Sequence, residues 1–373
     1  MKKALCILLC IIMCAISSGC YDSNEISQLA FIIAVGIDKA DGGLYEYTFQ
    51  AVKPSAFEGE SDANPLVTTT VTASSVYTAM DKLNTEISEK CDYSHIKLAV
   101  FSEKLLQNGA ENIFRSLFKT NTFHPNIRVA MAEGKASKYL QNIKIPLDTN
   151  PAEYYENIFR ESYSPYSPGT RLRDMEKDGP HPKCNILPVV KAGKDDEDKI
   201  QKYNTEKSAI VRNYTLIAIT GHKEAFWYKL LTEKSFKGNF YIQIPHTYQK
   251  SVVELTKTYG KIKVVFEDKI PVITIDLRFD GSVLWAESER EYIANDKEFI
   301  KAVNQKVKNE LEEFLQKCSQ EYKSDVCQFS KKAKIRYLTL QAWQKEDWQG
   351  LFEKAQYHIN TEVTLRREGV SLK

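Results

Sequence analysis

The sequence predicts an α+β protein of more than one domain, with mixed β-sheets, packed helices and a C-terminal sheet covered by a long helix. Three observations carry this. At 373 residues the chain exceeds one ordinary core and suggests two or three domains at about 100 to 200 residues each. Strand-like and helix-like runs alternate in the first half, whereas the second half gives a series of strands followed by helices. Between them, residues 164–199 collect prolines, glycines and a charge run. Hydrophobic content of 43% and charged content of 27% fit a globular protein that is neither disordered nor membrane-embedded.

The amino terminus reads as an export signal over residues 1–19. Lys2 and Lys3 form its positive region, Ala4 to Ile16 its apolar region, and Ser17-Ser18-Gly19 supplies small residues before Cys20. A cysteine at that place points to lipid attachment, with an ordinary cleaved signal as the alternative. The apolar run is shorter than the roughly 20 residues that cross a bilayer. A diacylglyceryl thioether on Cys20 carries two long chains at about 0.8 kcal/mol per buried methylene, which makes membrane residence permanent.

An N-terminal α/β domain is expected over 20–163. Phe31 to Asp38 and Leu44 to Val52 are β-rich and flank Asp41-Gly42-Gly43, a hairpin signal. Leu66 to Ala73 is Thr/Val-rich and reads as a strand. Val76, Met80, Leu83 and Ile87 recur at helical spacing. Ile96 to Phe101 is a strand, and Ser102 is placed to cap a helix that Gly109 interrupts, with Ile113, Phe114, Leu117 and Phe118 as its later stripe. Ile127 to Ala132 and Ala136 to Ile143 follow as strand and helix. Asn150-Pro151-Ala152-Glu153 starts another helix, expected to reach about Ser162.

Residues 164–199 are expected to be a linker, and the run Lys194 to Lys199 to be solvated. A C-terminal α+β domain is expected over 200–373, divisible into 200–290 and 291–373. Ala209 to Val211, Leu216 to Thr220, Phe240 to Ile244, Ser251 to Thr256, Ile262 to Glu267, Val272 to Phe279 and Val283 to Glu289 have strand character, with Asp280-Gly281 as a hairpin signal. Asn295 to Glu298 opens a long helix whose stripe runs Ile300, Val303, Val307, Leu311, Phe314, Leu315, Cys318, Tyr322. A second helix carries Leu338, Trp343 and Trp348. The last strand alternates, with Tyr357, Ile359, Thr361, Val363 and Leu365 on one face.

Chemistry-bearing patterns are sparse. No nucleophile elbow, Walker loop or dinucleotide fingerprint is present, and no catalytic residue is assigned. Glu287 and Glu289 are the nearest approach to a glycosidase pair, and His95 reads as a boundary residue. The six histidines lack metal-ligand spacing, so neither metal nor cofactor is expected. Cys91, Cys184, Cys318 and Cys327 remain after the signal; they read as buried thiols, although export permits a Cys318–Cys327 bridge if the chain reverses between them. Without Lys2 and Lys3 the 51 basic residues fall into balance with the 49 acidic ones, which argues against nucleic acid.

Cys20-Tyr21-Asp22-Ser23-Asn24-Glu25-Ile26, followed by Leu29-Ala30 and Val35-Gly36-Ile37-Asp38, resembles the opening of the Ger(x)C family of spore germination lipoproteins. Ser94 to Phe101 with Glu103, Asp325-Val326-Cys327-Gln328-Phe329, Trp343, Trp348, Phe352 and the strand ending at Arg366-Arg367-Glu368-Gly369 extend the resemblance over the mature chain. Tyr21 replaces the usual Trp, and Ser330 a common Gly. The resemblance implies a non-enzymatic C subunit of a nutrient germinant receptor, lipidated at Cys20, on the outer face of the spore inner membrane. It further implies integral-membrane A and B subunits as partners, which would bind the small-molecule germinant, and an α+β fold. A substrate-binding lipoprotein of an importer is the alternative; it requires paired doubly wound lobes around a cleft.

Overall fold

The computed structural model describes residues 29–52, 66–143, 150–159, 164–177, 179–192, 206–244, 248–286 and 297–366. Cys20, the signal, Glu287, Glu289, the run Lys194 to Lys199 and the capping sequence Asn295-Asp296 lie outside these residues.

The large sheet is built from β1 (Leu29–Lys39), β2 (Tyr45–Val52), β3 (Leu66–Ala73), β4 (Lys90–Asp92), β5 (Leu98–Ser102), β6 (Arg128–Glu133), β7 (Cys184–Lys191), β8 (Lys207–Arg212) and β9 (Thr215–Gly221). Their order is β3-β2-β1-β5-β6-β7-β8-β9, with β4 also against β1. Strands β1, β5, β6 and β7 run parallel, and β2, β3, β8 and β9 add antiparallel flanks, so the sheet is mixed.

Its central strands read as near-continuous apolar runs because both faces are covered. Val35, Ile37, Ala99, Phe101, Val129 and Met131 face helices Val76–Glu86, Glu103–Gln107 and Glu111–Lys119. Ala34, Leu98, Val100, Ala130 and Ala132 face Ala136–Asn142 and Pro151–Ile158. The β1–β2 turn uses Gly42 and Gly43 at φ 66° and 77°, as their pairing in the sequence suggests.

Within the segment expected to be a linker, Leu172–Met175 forms a helical turn and Cys184–Lys191 is β7, seated between β6 and β8. Pro188 within it and the prolines before it disguise a run, Ile186 to Val190, that the sheet buries completely. Here the two halves join. Leu187, Val189, Ala209 and Val211 point into the N-terminal core, while Cys184, Ile186 and Ile210 point into the C-terminal one.

The second sheet has the order β10-β11-β12-β13, with β10 at Lys237–Ile244, β11 at Tyr248–Glu267, β12 at Ile270–Ala286 and β13 at Gln356–Arg366. Helix Lys297–Gln316 packs on it, with Phe299, Val303, Val307, Leu311, Phe314 and Leu315 buried. Helix His222–Thr232 joins this core through Phe226, Trp227 and Leu230. The alternation expected for the last strand is present, with Ile359 and Val363 buried and His358, Asn360 and Glu362 exposed. The paired doubly wound lobes of an importer protein are not found among the described residues.

Four local expectations are corrected. Asp280-Gly281 is not a turn: both lie inside β12, and the reversal occurs at Asp268-Lys269, where φ is 48° and 65°. Gly281 serves close approach instead, since a Cβ there would meet Leu365 Cδ2 at 2.8 Å. Ser102 precedes a helix but makes no capping bond. Leu338 is wholly exposed, and the expected second helix is two short ones, Leu340–Gln344 and Trp348–Phe352. Ile300 is half-buried and Phe299 takes its place in the core, because the stripe turns slightly toward the sheet.

Candidate functional site

The residues that carry the family resemblance converge at three places, and each has a structural task. On β1, Gly36 lets the helix Ala136–Asn142 lie directly on the sheet: a Cβ would sit 3.1 Å from Leu140 Cδ1 and 3.3 Å from the Ala136 carbonyl carbon. Two residues on, buried Asp38 accepts bonds from the backbone N–H groups of Ala136 and Ser137, each at 2.8 Å. These are donors that a helix start leaves orphaned, and a carboxylate also complements the helix dipole.

At the amino end of β5, His95 is exposed and sets its ring edge-on to Phe31 at 5.0 Å. Lys97 pairs with Glu156 at 3.4 Å. A shallow depression of about 340 Å³ lies here, lined by Ser94, Lys97, His124, Arg128 and Glu156. Arg128 donates to the Gly169 carbonyl oxygen, Lys97 and Glu156 answer each other, and nothing among the lining residues pairs a nucleophile with a base.

The third place surrounds Asp325. Its carboxylate is buried and accepts from Phe329 N at 2.8 Å, Ser330 N at 2.7 Å and Trp348 Nε1 at 2.9 Å. Burial raises its pKa more than these three donors lower it. Trp343, Trp348, Phe352 and Phe329 form a chain of ring contacts around it. His181 packs edge-on to Trp343 at 4.3 Å, and its Nε2 lies 2.9 Å from the Trp343 carbonyl oxygen. The motif is thus a polar knot that holds the segment between the long helix and β13. Sequence reading assigned the residues but not their convergence, because Asp325 and Trp348 are joined only through side chains.

The thiols are chemically quiet. Burial pushes the Cys184 thiol up to about 12, and Cys318 and Cys327 are also raised well above the ordinary range by burial. All four described cysteines are free. Reactive cysteines need the opposite environment, one that favours thiolate. Among the described residues no group of three His, Cys, Asp or Glu side chains could hold a metal, and no helix is long and apolar enough to cross a membrane.

Two concavities escaped sequence reading. One, of about 280 Å³, is walled by Tyr166, His222, Phe226, Trp227 and Phe240 and bordered by the Lys306–Glu310 ion pair. The other, of about 760 Å³, lies between residues 179–183 and Lys331, Lys334, Leu340 and Trp343. Beside it, Ile335 and Leu338 stand in solvent. The signal that could have found this face is the run from Val326 to Lys345, which holds five cations and no carboxylate.

Comparison with known proteins places this arrangement. Residues 22–192 match the family described as spore germination protein N-terminal domain, and residues 206–369 match spore germination B3/GerAC like, C-terminal. Putative spore germination protein YfkR of Bacillus subtilis (strain 168) is 22% identical over 387 residues, covering 100% of this chain and 99% of that protein. Spore germination protein B3 of the same organism is 20% identical, over 91% of each chain. Spore germination protein GerQC of Bacillus cereus is 18% identical, over 98% and 99%. The crystal structure of the GerBC protein aligns with a TM-score of 0.51 at 16% identity, covering 92% of this chain and 100% of that one, so the fold is shared. With both domains matched in order and the motif residues placed where that fold needs them, the chain belongs to the GerC-like family of spore germination proteins, and its role lies in germination.

Proposed function

We propose that this chain is the lipid-anchored C subunit of a nutrient germinant receptor, held at the outer face of the spore inner membrane by Cys20 and acting by contact with integral-membrane A and B subunits. The observation that carries the reading is the use to which the family's motif residues are put. Asp38, Gly36, Asp325, Trp343 and Trp348 are spent on internal bonds and packing. A protein built this way offers surfaces to partners and leaves nutrient recognition and any transport to them. Attachment to the bilayer raises the effective concentration of such surfaces, so weak contacts suffice.

The domains in this proposal follow the sequence reading at their outer limits, with a signal over 1–19 and the mature chain from residue 20. The test is made in spores. Cys20→Ala is expected to move the protein from the membrane to the soluble fraction and to reduce the nutrient response, while crosslinking of the unaltered protein recovers integral-membrane partners. A full nutrient response from a soluble Cys20→Ala protein refutes the need for the anchor. Recovery of importer permeases instead of receptor subunits favours the substrate-binding alternative.

A further inference from the structure

The segment 330–340 combines three features that do not occur together elsewhere in the described surface. Ile335 is 79% exposed, Leu338 101% and Leu340 52%, so three large apolar side chains project from one short stretch. Lys332, Lys334 and Arg336 alternate with them and are themselves exposed. The acidic groups around it are otherwise engaged or placed: Asp325, which lines the adjacent concavity, is buried on three donors, Glu346 accepts a bond from Tyr337 at 3.0 Å, and Glu267 and Asp268 sit at the β11–β12 turn. Exposed apolar residues are ordinary when scattered, but a cluster rimmed by one sign of charge marks a surface meant to be covered.

The position of this segment is informative. Strands β1, β5, β6 and β7 are parallel, so their amino ends share one edge of the sheet. Leu29 opens β1 and His181 stands three residues before β7, so both lie toward that edge. His181 is the residue that packs on Trp343, next to the exposed cluster. Cys20 precedes Leu29 by nine residues, a reach of at most about 30 Å. The apolar cluster, through Trp343 and His181, and Leu29 therefore lie toward the same edge of the sheet.

We propose that residues 330–340 form a second membrane contact, in which Ile335, Leu338 and Leu340 enter the interface of an anionic bilayer while Lys332, Lys334 and Arg336 lie among its headgroups. Aliphatic insertion and attraction to anionic lipid add in such contacts. A protein partner would also cover apolar side chains, but the absence of any carboxylate from Val326 to Lys345 matches a surface of uniform negative charge. The contact fixes orientation: with one tether alone the domains would pivot, and with two points they present a constant face to embedded neighbours. Binding at this face needs no lipid on Cys20, whereas its orienting role rests on the proposed anchor.

The test uses residues 21–373, which hold all of the described fold and omit Cys20. Co-sedimentation is measured with vesicles of phosphatidylcholine and with vesicles of phosphatidylcholine mixed with phosphatidylglycerol. Binding is expected to the mixed vesicles and to weaken as added salt shortens the screening length from about 10 Å toward 3 Å. Ile335→Ser with Leu338→Ser, and separately Lys332→Glu with Lys334→Glu and Arg336→Glu, are each expected to weaken it by about tenfold or more. These side chains are exposed, so circular dichroism and the melting temperature should be unchanged. Retention in the supernatant with mixed vesicles overturns the proposal, as does binding that both sets of substitutions leave intact. Because Cys20 is absent throughout, such a failure leaves the lipid-anchor reading to its own test in spores.

Discussion

Asp38 and Asp325 are buried carboxylates taken up by backbone and indole donors, and their value is measured in backbone order. Asp38 satisfies two N–H groups at the start of Ala136–Asn142, and Asp325 satisfies two more and an indole. Removing an acceptor strands its donors in a dry site at about 1–3 kcal/mol each. Asp38→Ala is therefore expected to cost about 2 kcal/mol or more, and Asp325→Ala about 3 kcal/mol or more, by urea denaturation. Asp325 carries a further signature in pH. Its folded pKa is raised, so folding favours the protonated form, and its contribution is present at low pH and lost as pH rises from the ordinary carboxylate range through the folded value. Asp325→Asn, which cannot ionise, should flatten that part of the stability profile. Neither role was legible from residue type: a buried Asp in G-I-D and one in D-V-C-Q-F look alike in sequence, and only the helix that each meets tells them apart.

At the scale of elements, legibility follows local periodicity. Strands β1, β5 and β6 and the long helix declare themselves because their apolar spacing is set by their own neighbours in sequence. β7 and the continuous β11 and β12 do not, because tertiary pairing overrides local signals: Pro188 interrupts the first, and Gly260 and Gly281 the others. A second case is the end of His222–Thr232. Lys257, on β11, donates from Nζ to the Leu230 carbonyl oxygen at 2.6 Å and to that of Glu233, closing a helix terminus from a distant strand. Such carbonyls have no partner within the helix, and a cation there also meets the negative end of its dipole. Lys257→Met should cost about 1–3 kcal/mol by chemical denaturation at neutral pH. Burial lowers the folded pKa of Lys257, so the unfolded chain holds the proton more tightly. Its contribution to stability accordingly rises with pH between that lowered value and the ordinary lysine range, and the methionine variant should lose the rise.

For the whole molecule, the decisive feature is that one sheet serves two cores. β8 and β9 lie in the C-terminal family match, yet they extend a sheet begun by the N-terminal one, and β7, between β6 and β8, buries Leu187 and Val189 on one face and Ile186 on the other. A boundary drawn from composition misses this, because the stretch that looks like a linker supplies the joining strand. Two modules that share a sheet should melt together, since exposing either core breaks the pairing of β6 with β7 or of β7 with β8. All 4 tryptophans, Trp227, Trp285, Trp343 and Trp348, belong to the C-terminal half, so their fluorescence reports that half alone. Far-ultraviolet circular dichroism reports both. The two thermal transitions are expected to coincide, and Ile186→Ala, at about 2–5 kcal/mol for a fully buried isoleucine, should shift both by the same amount. Separation of the two curves in that variant would mean that the shared sheet does not couple the cores. Coupling of this kind matters for the contact role proposed above, because a load received on the face near residues 330–340 would then be borne by both cores and not by one hinged half.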